Sequence, residues 1–349
     1  MVLPATYASA VLLLILALLC LGSWPNLLKL CGPQWRFELF YFDFAIGAAL
    51  AATIAAFTFG TFGSEMAFND RMLIAGNTAQ AYALASGFLF NLGNMLLLAG
   101  VSLLGISAGF MISIAFALIV GCCFAFHPNN ILFLVSGMVL LFVTFVLATS
   151  ACRLRDLVVR PSAKPAPSQK STHRAPAKRG MKRTSKGLLA AILGGIPLGL
   201  FYPLFERATA GEFGLGPYAG ILLFAIGLLV STIVFNFYFM NIAIEGGPLA
   251  FSSYFRGKLR QHLLGFSSGA IWTLGALAAA IAIFTRSQTG VSVVLASILP
   301  ISSAALAAMW GFARWHEFPA TAGNARAAIA FSIVLFIGAV LLVSNGIAR

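Results

Sequence analysis

Ten stretches of the sequence are each long and apolar enough to cross a bilayer, because a membrane-spanning helix needs about 20 mostly apolar residues. Lipid cannot satisfy free backbone N–H and C=O groups, so such stretches must be helical. These runs lack the short segments of alternating apolar and polar residues that form a β-barrel. The expected spans are residues 7–28, 39–60, 80–100, 103–125, 131–150, 187–205, 218–241, 263–284, 291–311 and 325–346.

Charge is scarce in this chain, since only 9% of its residues are charged and 60% are hydrophobic. A soluble domain carries about 25% charged residues, so the composition predicts an all-α, multi-pass protein of the cell membrane. The net charge of +13 would ordinarily point to nucleic acid. Here half of the basic residues lie in one loop and the rest at the ends of apolar runs, which is how membrane proteins fix their orientation. No nucleic-acid binding is therefore predicted.

The least hydrophobic stretch is residues 152–186, which holds eleven of the 22 Lys and Arg residues. Its Pro, Ser, Lys and Arg content keeps it solvated, and it is predicted to be a flexible basic loop. It separates a first group of five spans in residues 1–151 from a second group of five in residues 187–349.

Counting basic residues predicts which way the chain faces. If the central loop is cytoplasmic, the loops on its side carry 18 Lys and Arg residues and the other side carries 4. This excess follows the positive-inside rule. Five spans precede the loop, so both termini are expected outside.

Matching short patterns recur in the two groups of spans in the same order. An odd number of spans per repeat places the two repeats in opposite orientations, the inverted-repeat plan of many secondary transporters. The sequence therefore predicts two inverted five-helix repeats. The matched positions are 21–25 with 198–203, 44–47 with 224–227, 92–93 with 274–275, and 105–107 with 290–292.

Two prolines mark candidate helix breaks in corresponding spans. Pro25 follows Trp24, and Pro203 follows Tyr202. A proline inside a helix removes one backbone hydrogen bond and clashes with the previous turn, and carriers often bind substrate at such breaks. Trp24 and Tyr202 are therefore candidate substrate contacts. The alternative is that each proline only kinks its helix for packing or marks the end of a span.

Polar side chains inside the spans are the second signal of a substrate site. The i, i+3 spacing of Asn91 and Asn94 puts both amides on one helix face. Asn236 and Tyr238 lie in the seventh span, and Trp272 in the eighth is a candidate stacking platform. An amide donates and accepts at once, which suits a neutral polar solute. The alternative is that these amides only bond neighbouring helices and that Trp272 only packs.

Carboxylates inside a membrane are costly and usually functional. Asp43, near the start of the second span, is the candidate for proton coupling, and an interfacial pair with Arg36 is the alternative. His127, His262 and His316 are expected in loops, which favours solvated roles.

The sequence contains no GxxxxGK[ST], HExxH or GxSxG motif. Its five cysteines have no CxxC spacing and are expected to be buried, inert thiols. The chain is therefore predicted to be neither an enzyme nor a metal- or cofactor-binding protein.

One further pattern extends over most of the chain, at positions 21–25, 41–43, 93–94, 230–232, Asn236, 238–240 and 247–248. In these positions the sequence resembles the ureide permeases, which belong to the drug/metabolite transporter superfamily. The resemblance implies ten helices in two inverted repeats, a large cytosolic central loop, and proton-driven import of allantoin, uracil or related heterocycles. Plant members carry a glycine motif in the central loop that is missing here, and the family's acidic residue early in the fourth helix corresponds to Phe110.

The predicted function is secondary active transport of a small polar metabolite, a ureide or nucleobase, by alternating access. A carrier for sugars or other metabolites of the same superfamily is the first alternative. An alternative of another class is a non-transporting membrane scaffold that uses the basic loop to bind anionic lipid or a partner.

Overall fold

A computed structural model describes residues 1–124, 128–159, 182–211 and 213–347. His127 and most of the predicted central loop, residues 160–181, lie outside the described residues. The regular structure of the described part is helical. Its α-helices are α1 (Tyr7–Ser23), α2 (Asn26–Leu30), α3 (Phe37–Phe57), α4 (Phe68–Ile74), α5 (Asn77–Leu104), α6 (Ile106–Cys122), α7 (Ile131–Val159), α8 (Arg183–Thr209), α9 (Pro217–Asn241), α10 (Leu259–Phe284), α11 (Arg286–Thr289), α12 (Val293–Met309) and α13 (Gly323–Ile347).

Within these described ranges, nine helices are long and apolar enough to cross a membrane. The first of them runs over α1 and α2 together, and another combines α12 with a π-helical turn, Trp310–Arg314. The expected fourth span is the exception, because α6 has only 17 residues. At about 1.5 Å per residue it measures about 26 Å, slightly less than a hydrocarbon core of about 30 Å.

The later start of this helix arises at Gly105, which separates α5 from α6. Its φ of +98° is a conformation that side chains other than glycine rarely adopt, so α5 ends at Leu104 and α6 begins at Ile106. The fourth span was predicted over 103–125 because hydropathy alone does not register this change of backbone direction. The predicted third and fourth spans, 80–100 and 103–125, left two residues between them, and the structure joins α5 to α6 through Gly105 alone.

The helices on either side of the central loop extend beyond their apolar runs. α7 continues to Val159 and α8 begins at Arg183, whereas the apolar runs were 131–150 and 187–205. Arg155 donates a hydrogen bond of 2.7 Å to the Leu104 carbonyl, and Asp156 accepts one from Thr184. The polar ends of both helices are thereby fixed to each other and to the end of α5.

The two candidate helix breaks differ. α1 ends at Ser23 and Pro25 directly precedes α2, so the helix is interrupted there. Pro203 lies inside α8, which continues without a break to Thr209.

Four helices form the centre of the bundle: α3, α5, α9 and α10. α5 packs against α8 and α9, α10 packs against α1 and α3, and α7 pairs with α13 at the periphery. The central helices approach closely at glycines, where Gly87 faces the Phe224 carbonyl and Gly269 faces the Phe44 carbonyl. Small residues of this kind let helix backbones meet within a membrane.

The N-terminal residues are folded against one end of the bundle. The Met1 amino group donates to the Glu65 carbonyl at 2.7 Å, and the Tyr218 hydroxyl donates to the Val2 carbonyl at 2.8 Å. The two ends of the bundle are therefore distinct, with the N-terminus at the start of α9 and the helix ends beside the central loop on the opposite side.

Candidate functional site

A cluster of buried aromatic rings lies where the central helices cross. Trp272 stacks on Phe224 with 5.6 Å between ring centroids and 19° between planes, and it lies 4.7 Å from the Phe90 ring. Trp24 packs 5.0 Å from Phe44, which in turn contacts Trp272 at 6.2 Å. The two predicted tryptophans therefore belong to one cluster in the core, and one face of Trp272 is already covered by Phe224.

Asn91 joins α5 to α9 beside this cluster. Its Nδ2 donates to Ser231 Oγ at 2.7 Å, and its Oδ1 accepts from Thr232 Oγ1 at 3.3 Å. All three side chains are buried. Both ends of the Asn91 amide are thus used between helices, which matches the packing alternative for this residue.

Asn94 joins α5 to α3. Its Nδ2 donates to the Tyr41 hydroxyl at 3.0 Å, and both side chains are buried. Asn91 and Asn94 are three residues apart on α5, and their amides bond to two different helices, α9 and α3. Together they place polar groups from three central helices in one layer of an otherwise apolar core.

Asn236 differs from the other two amides. Asn236 is 0% exposed, and neither its Nδ2 nor its Oδ1 has a hydrogen-bond partner among the described residues. It follows Thr232 by one helical turn, so it lies on the face of α9 that meets Asn91. A buried polar group without a partner costs about 1–3 kcal/mol. Asn236 therefore offers a free donor and a free acceptor inside the bundle.

The two predicted tyrosines lie away from this layer. Tyr202 is 50% exposed and Tyr238 is 55% exposed, and both face outward. Tyr202 lines a cavity of about 230 Å³ between the end of α8, the start of α9 and the end of α10. The other residues that line it are Phe205, Glu206, Thr209, Pro217, Ala280, Ile283 and Phe284.

Asp43 lies near the start of α3 and is held by two residues from the second half of the chain. The Tyr254 hydroxyl donates to Asp43 Oδ1 at 2.5 Å, and His262 Nδ1 lies 2.9 Å from Oδ2. Arg36 pairs with Glu38 instead of Asp43. Burial, together with the hydrogen bond to Asp43, raises the pKa of Tyr254. The carboxylate therefore belongs to a three-residue cluster that links α3 to α10.

The expectation that His262 lies in a loop is wrong, because α10 begins at Leu259 and includes it. The apolar run was predicted to start at 263, since Arg260 and Gln261 are polar. Helical geometry continues through these polar residues and turns His262 towards Asp43. His316 does lie between helices, with a φ of +48°.

A second set of contacts connects residues 310–317, which follow α12, to the broken first span. Trp310 Nε1 donates to Ser23 Oγ at 3.1 Å, and Trp315 Nε1 donates to Asn26 Oδ1 at 2.6 Å. We call residues 310–317 the strap. It connects the second half of the chain to the first at the bundle end beside the central loop.

Glu317 is the last residue of the strap, and its carboxylate bonds to three different residues, more than any other carboxylate in the described part of the chain. It forms an ion pair with Lys29 and accepts from the backbone N–H groups of Ile106 at 2.7 Å and Ser107 at 2.8 Å. Its side chain is buried. Since those N–H groups begin α6, Glu317 caps that helix in place of a local side chain.

Comparison with known proteins gives a consistent set of relatives. The chain is 25% identical to ureide permease 4 of Arabidopsis thaliana, over 97% of this chain and 98% of the relative. It is 23% identical to ureide permease 2 over 99% of both chains, and 24% identical to ureide permease 1 over 97% of both, from the same organism. No family model matches the sequence.

These relatives are permeases. They are transporters rather than enzymes, and they match this chain over almost its whole length. Together with the nine long apolar helices of the described ranges, they identify the chain as a multi-pass integral membrane protein with a role in transport.

Sequence reasoning did not single out several residues that the structure brings into this region. Tyr41 was noted only as part of an aromatic motif, and Glu317 and Tyr254 were not considered. Their partners Asn94, Lys29 and Asp43 are 53, 288 and 211 residues away in sequence. The one available signal was that Glu317 is the only acidic residue after Glu245. No group of three or more His, Cys, Asp or Glu side chains that could hold a metal is found among the described residues.

Proposed function

We propose that this chain is a secondary transporter that carries a small polar ureide or nucleobase, such as allantoin or uracil, by alternating access between two five-helix halves. The observation that carries the proposal is the buried, unpartnered amide of Asn236 between helices of the two halves. The substrate class comes from the names of the permease relatives.

Helix packing supports the two-halves arrangement. The first half contains α1, α3, α5, α6 and α7, and their counterparts in the second half are, in the same order, α8, α9, α10, α12 and α13. When each helix is replaced by its counterpart, every helix pair considered below becomes another pair that is in contact. The pair α5–α8 becomes α10–α1, α3–α10 becomes α9–α5, and α6–α8 becomes α12–α1, all of which are in contact. α3–α9 and α7–α13 map onto themselves. This is the packing expected for inverted repeats, if the short helix α6 is counted with the nine long ones to give ten.

The polar layer supports recognition of a small solute with both donor and acceptor groups. Both ends of the Asn91 amide and the Nδ2 of Asn94 already have partners, whereas the Asn236 amide can still both donate and accept. An amide or ureide group of a substrate presents the complementary acceptor and donor. Burial away from water strengthens such bonds, and any solute that cannot make them leaves the amide unsatisfied.

Replacing Asn236 with leucine tests the site. We expect uptake of radiolabelled allantoin or uracil into proteoliposomes to fall more than tenfold. The unfolding temperature should stay the same or rise, because an unsatisfied buried amide has been removed. Asn241→Leu is the matched control, since its exposed amide bonds only to the Phe237 carbonyl of its own helix. It should leave uptake within about twofold of the unmodified protein.

Asn91→Leu gives the opposite sign for stability. It removes an interhelical bond, so stability should fall by about 0.6–1.7 kcal/mol.

Full uptake by Asn236→Leu would contradict the assigned site. Uptake of sugars without uptake of allantoin or uracil would instead support the alternative carrier.

Proton coupling is the finer part of the proposal, and Asp43 is its candidate residue. Support comes from the position of the carboxylate, which is buried at the contact between α3 and α10 and lies 2.9 Å from an imidazole. A group that binds and releases a proton between two halves can link protonation to their rearrangement.

Asp43→Asn tests this coupling in the same vesicles. We expect the variant to lose most of the stimulation of uptake by an inward proton gradient while keeping exchange of labelled for unlabelled substrate. The amide keeps an acceptor for Tyr254 but cannot carry the proton. Glu206→Gln, an exposed carboxylate at the opposite end of the bundle, is the control and should keep the stimulation. Gradient stimulation that survives in Asp43→Asn would remove this residue from the mechanism.

The orientation is also proposed, with the central loop in the cytoplasm and both termini outside. The excess of basic residues on one side supports it. Further support comes from Arg155, Arg183, Lys29 and Arg36, which all lie near helix ends at the central-loop side and take part in ion pairs there.

A further inference from the structure

Between α9 and α10 the chain forms a 3-10 turn, Phe251–Arg256, that exposes large apolar side chains at the central-loop end of the bundle. Phe255 is 72% exposed, and Leu259 in the first turn of α10 is 73% exposed. Phe251 is also exposed. Apolar and aromatic side chains at a helix end can seat in the boundary between lipid headgroups and acyl chains.

Three exposed cations alternate with these apolar residues: Arg256, Lys258 and Arg260. None of them forms a salt bridge with a described residue, whereas Lys29 and Arg36 at the same end of the bundle are both paired. The sequence also has no Asp or Glu between Gly246 and His316 that could neutralise them. The turn therefore combines free positive charge with exposed apolar surface.

We propose that this basic–aromatic patch, formed by Phe251, Phe255, Arg256, Lys258, Leu259 and Arg260, binds the headgroups of anionic phospholipids. The chemistry is complementary on both sides. Guanidinium and ammonium groups donate hydrogen bonds to lipid phosphates, and their long stems lie along apolar surface. The neighbouring Phe255 and Leu259 side chains enter the acyl region below those phosphates.

The patch is joined directly to the Asp43 cluster by Tyr254. Tyr254 lies in the same turn, its ring is parallel to that of Phe251 with 6.1 Å between centroids, and its hydroxyl donates to Asp43. A lipid that holds the turn in place therefore also holds Tyr254 on Asp43. Anionic lipid should act here as a ligand that favours the conformation in which this contact exists.

The test measures lipid binding by stability, so its outcome does not depend on transport. The full chain in neutral detergent is titrated with dioleoyl phosphatidylglycerol, and the unfolding temperature is followed. The reference titration uses dioleoyl phosphatidylcholine. We expect the anionic lipid to stabilise the unmodified protein at lower concentration than the zwitterionic lipid does.

The triple variant Arg256→Gln, Lys258→Gln, Arg260→Gln should need more than tenfold more phosphatidylglycerol for half of the stabilisation, since each basic residue near an anionic surface contributes about fivefold. Its response to phosphatidylcholine should not change. A second variant, Phe255→Ser, keeps the charges and should weaken binding of both lipids.

The matched control removes three other cations at the two ends of the predicted central loop, Arg153, Lys182 and Lys186, by substitution with Gln. Like the three in the patch, they form no salt bridge with a described residue. This control should retain the phosphatidylglycerol response. A smaller than tenfold shift in the patch variant would overturn the proposal. An equal shift in the control would also overturn it, because general attraction to positive charge would then explain the result.

Discussion

Replacing Glu317 with alanine should lower the free energy of unfolding by about 2–5 kcal/mol, because it removes a charged hydrogen bond (about 1.5–3 kcal/mol) and a helix cap (about 0.5–2 kcal/mol). The carboxylate accepts from the first two N–H groups of α6 and pairs with Lys29, so its removal affects three donors at once. The indole contacts of the strap should weaken with it, because the same short segment carries them.

The measurement is thermal or denaturant unfolding of the purified protein in detergent. Glu317→Gln is the milder variant, which keeps one acceptor and should fall between alanine and the unmodified chain. Glu245→Gln is the matched control, because its ion pair with Arg183 is partly exposed and should be worth no more than about 1 kcal/mol. Equal effects at Glu317 and Glu245 would show that the strap contributes little to stability.

Adding one methyl group at Gly269 or at Gly87 should be among the most damaging small changes available in this chain. A Cβ at Gly269 would overlap the Phe44 carbonyl, and one at Gly87 would overlap the Phe224 carbonyl. Both obstacles are backbone atoms of a packed helix, so they cannot rotate away. We expect each alanine variant to lose about 3 kcal/mol or more and to give a low yield of folded protein.

Gly338→Ala provides the control with the opposite sign. Its added Cβ would meet only the Leu140 side chain, at an ordinary contact distance of 3.9 Å. Alanine in a helix interior is favoured over glycine by about 0.5–1 kcal/mol, so this variant should be neutral or slightly more stable. Size-exclusion profiles and unfolding temperatures of the three variants would distinguish the two tightly packed glycines, Gly269 and Gly87, from Gly338. Normal folding of Gly269→Ala would mean that α3 and α10 are not packed as described.

Hydropathy predicted most of the helices because a span must be both apolar and about 20 residues long. It failed at helix ends for two physical reasons. One is that a single glycine, Gly105, changes the backbone direction inside an uninterrupted apolar run. The other is that basic and polar residues are good or adequate helix formers, so α7 and α10 continue beyond their apolar segments.

The candidate site was harder to predict, because spacing places a side chain on a face but does not identify its partner. Asn91, Asn94 and Asn236 carry the same chemistry, yet two of them have partners from other helices and one has none. Asp43 was expected to stand alone or with Arg36, and its partners come from residues more than 200 positions later. Such pairings depend on tertiary packing, which a single sequence does not reveal.

The strap also has a kinetic consequence. Ser23, Asn26 and Lys29 are spaced at three-residue intervals, so their bonds to the strap must break together when the segments separate. Two neutral hydrogen bonds at about 1 kcal/mol each and a charged one at about 1.5–3 kcal/mol give a combined cost of about 4 kcal/mol. If this cost falls on the opening step, that step is about a thousandfold slower than it would be without the strap. Under the alternating access proposed above, opening of the bundle end beside the central loop would then be a slow step of transport.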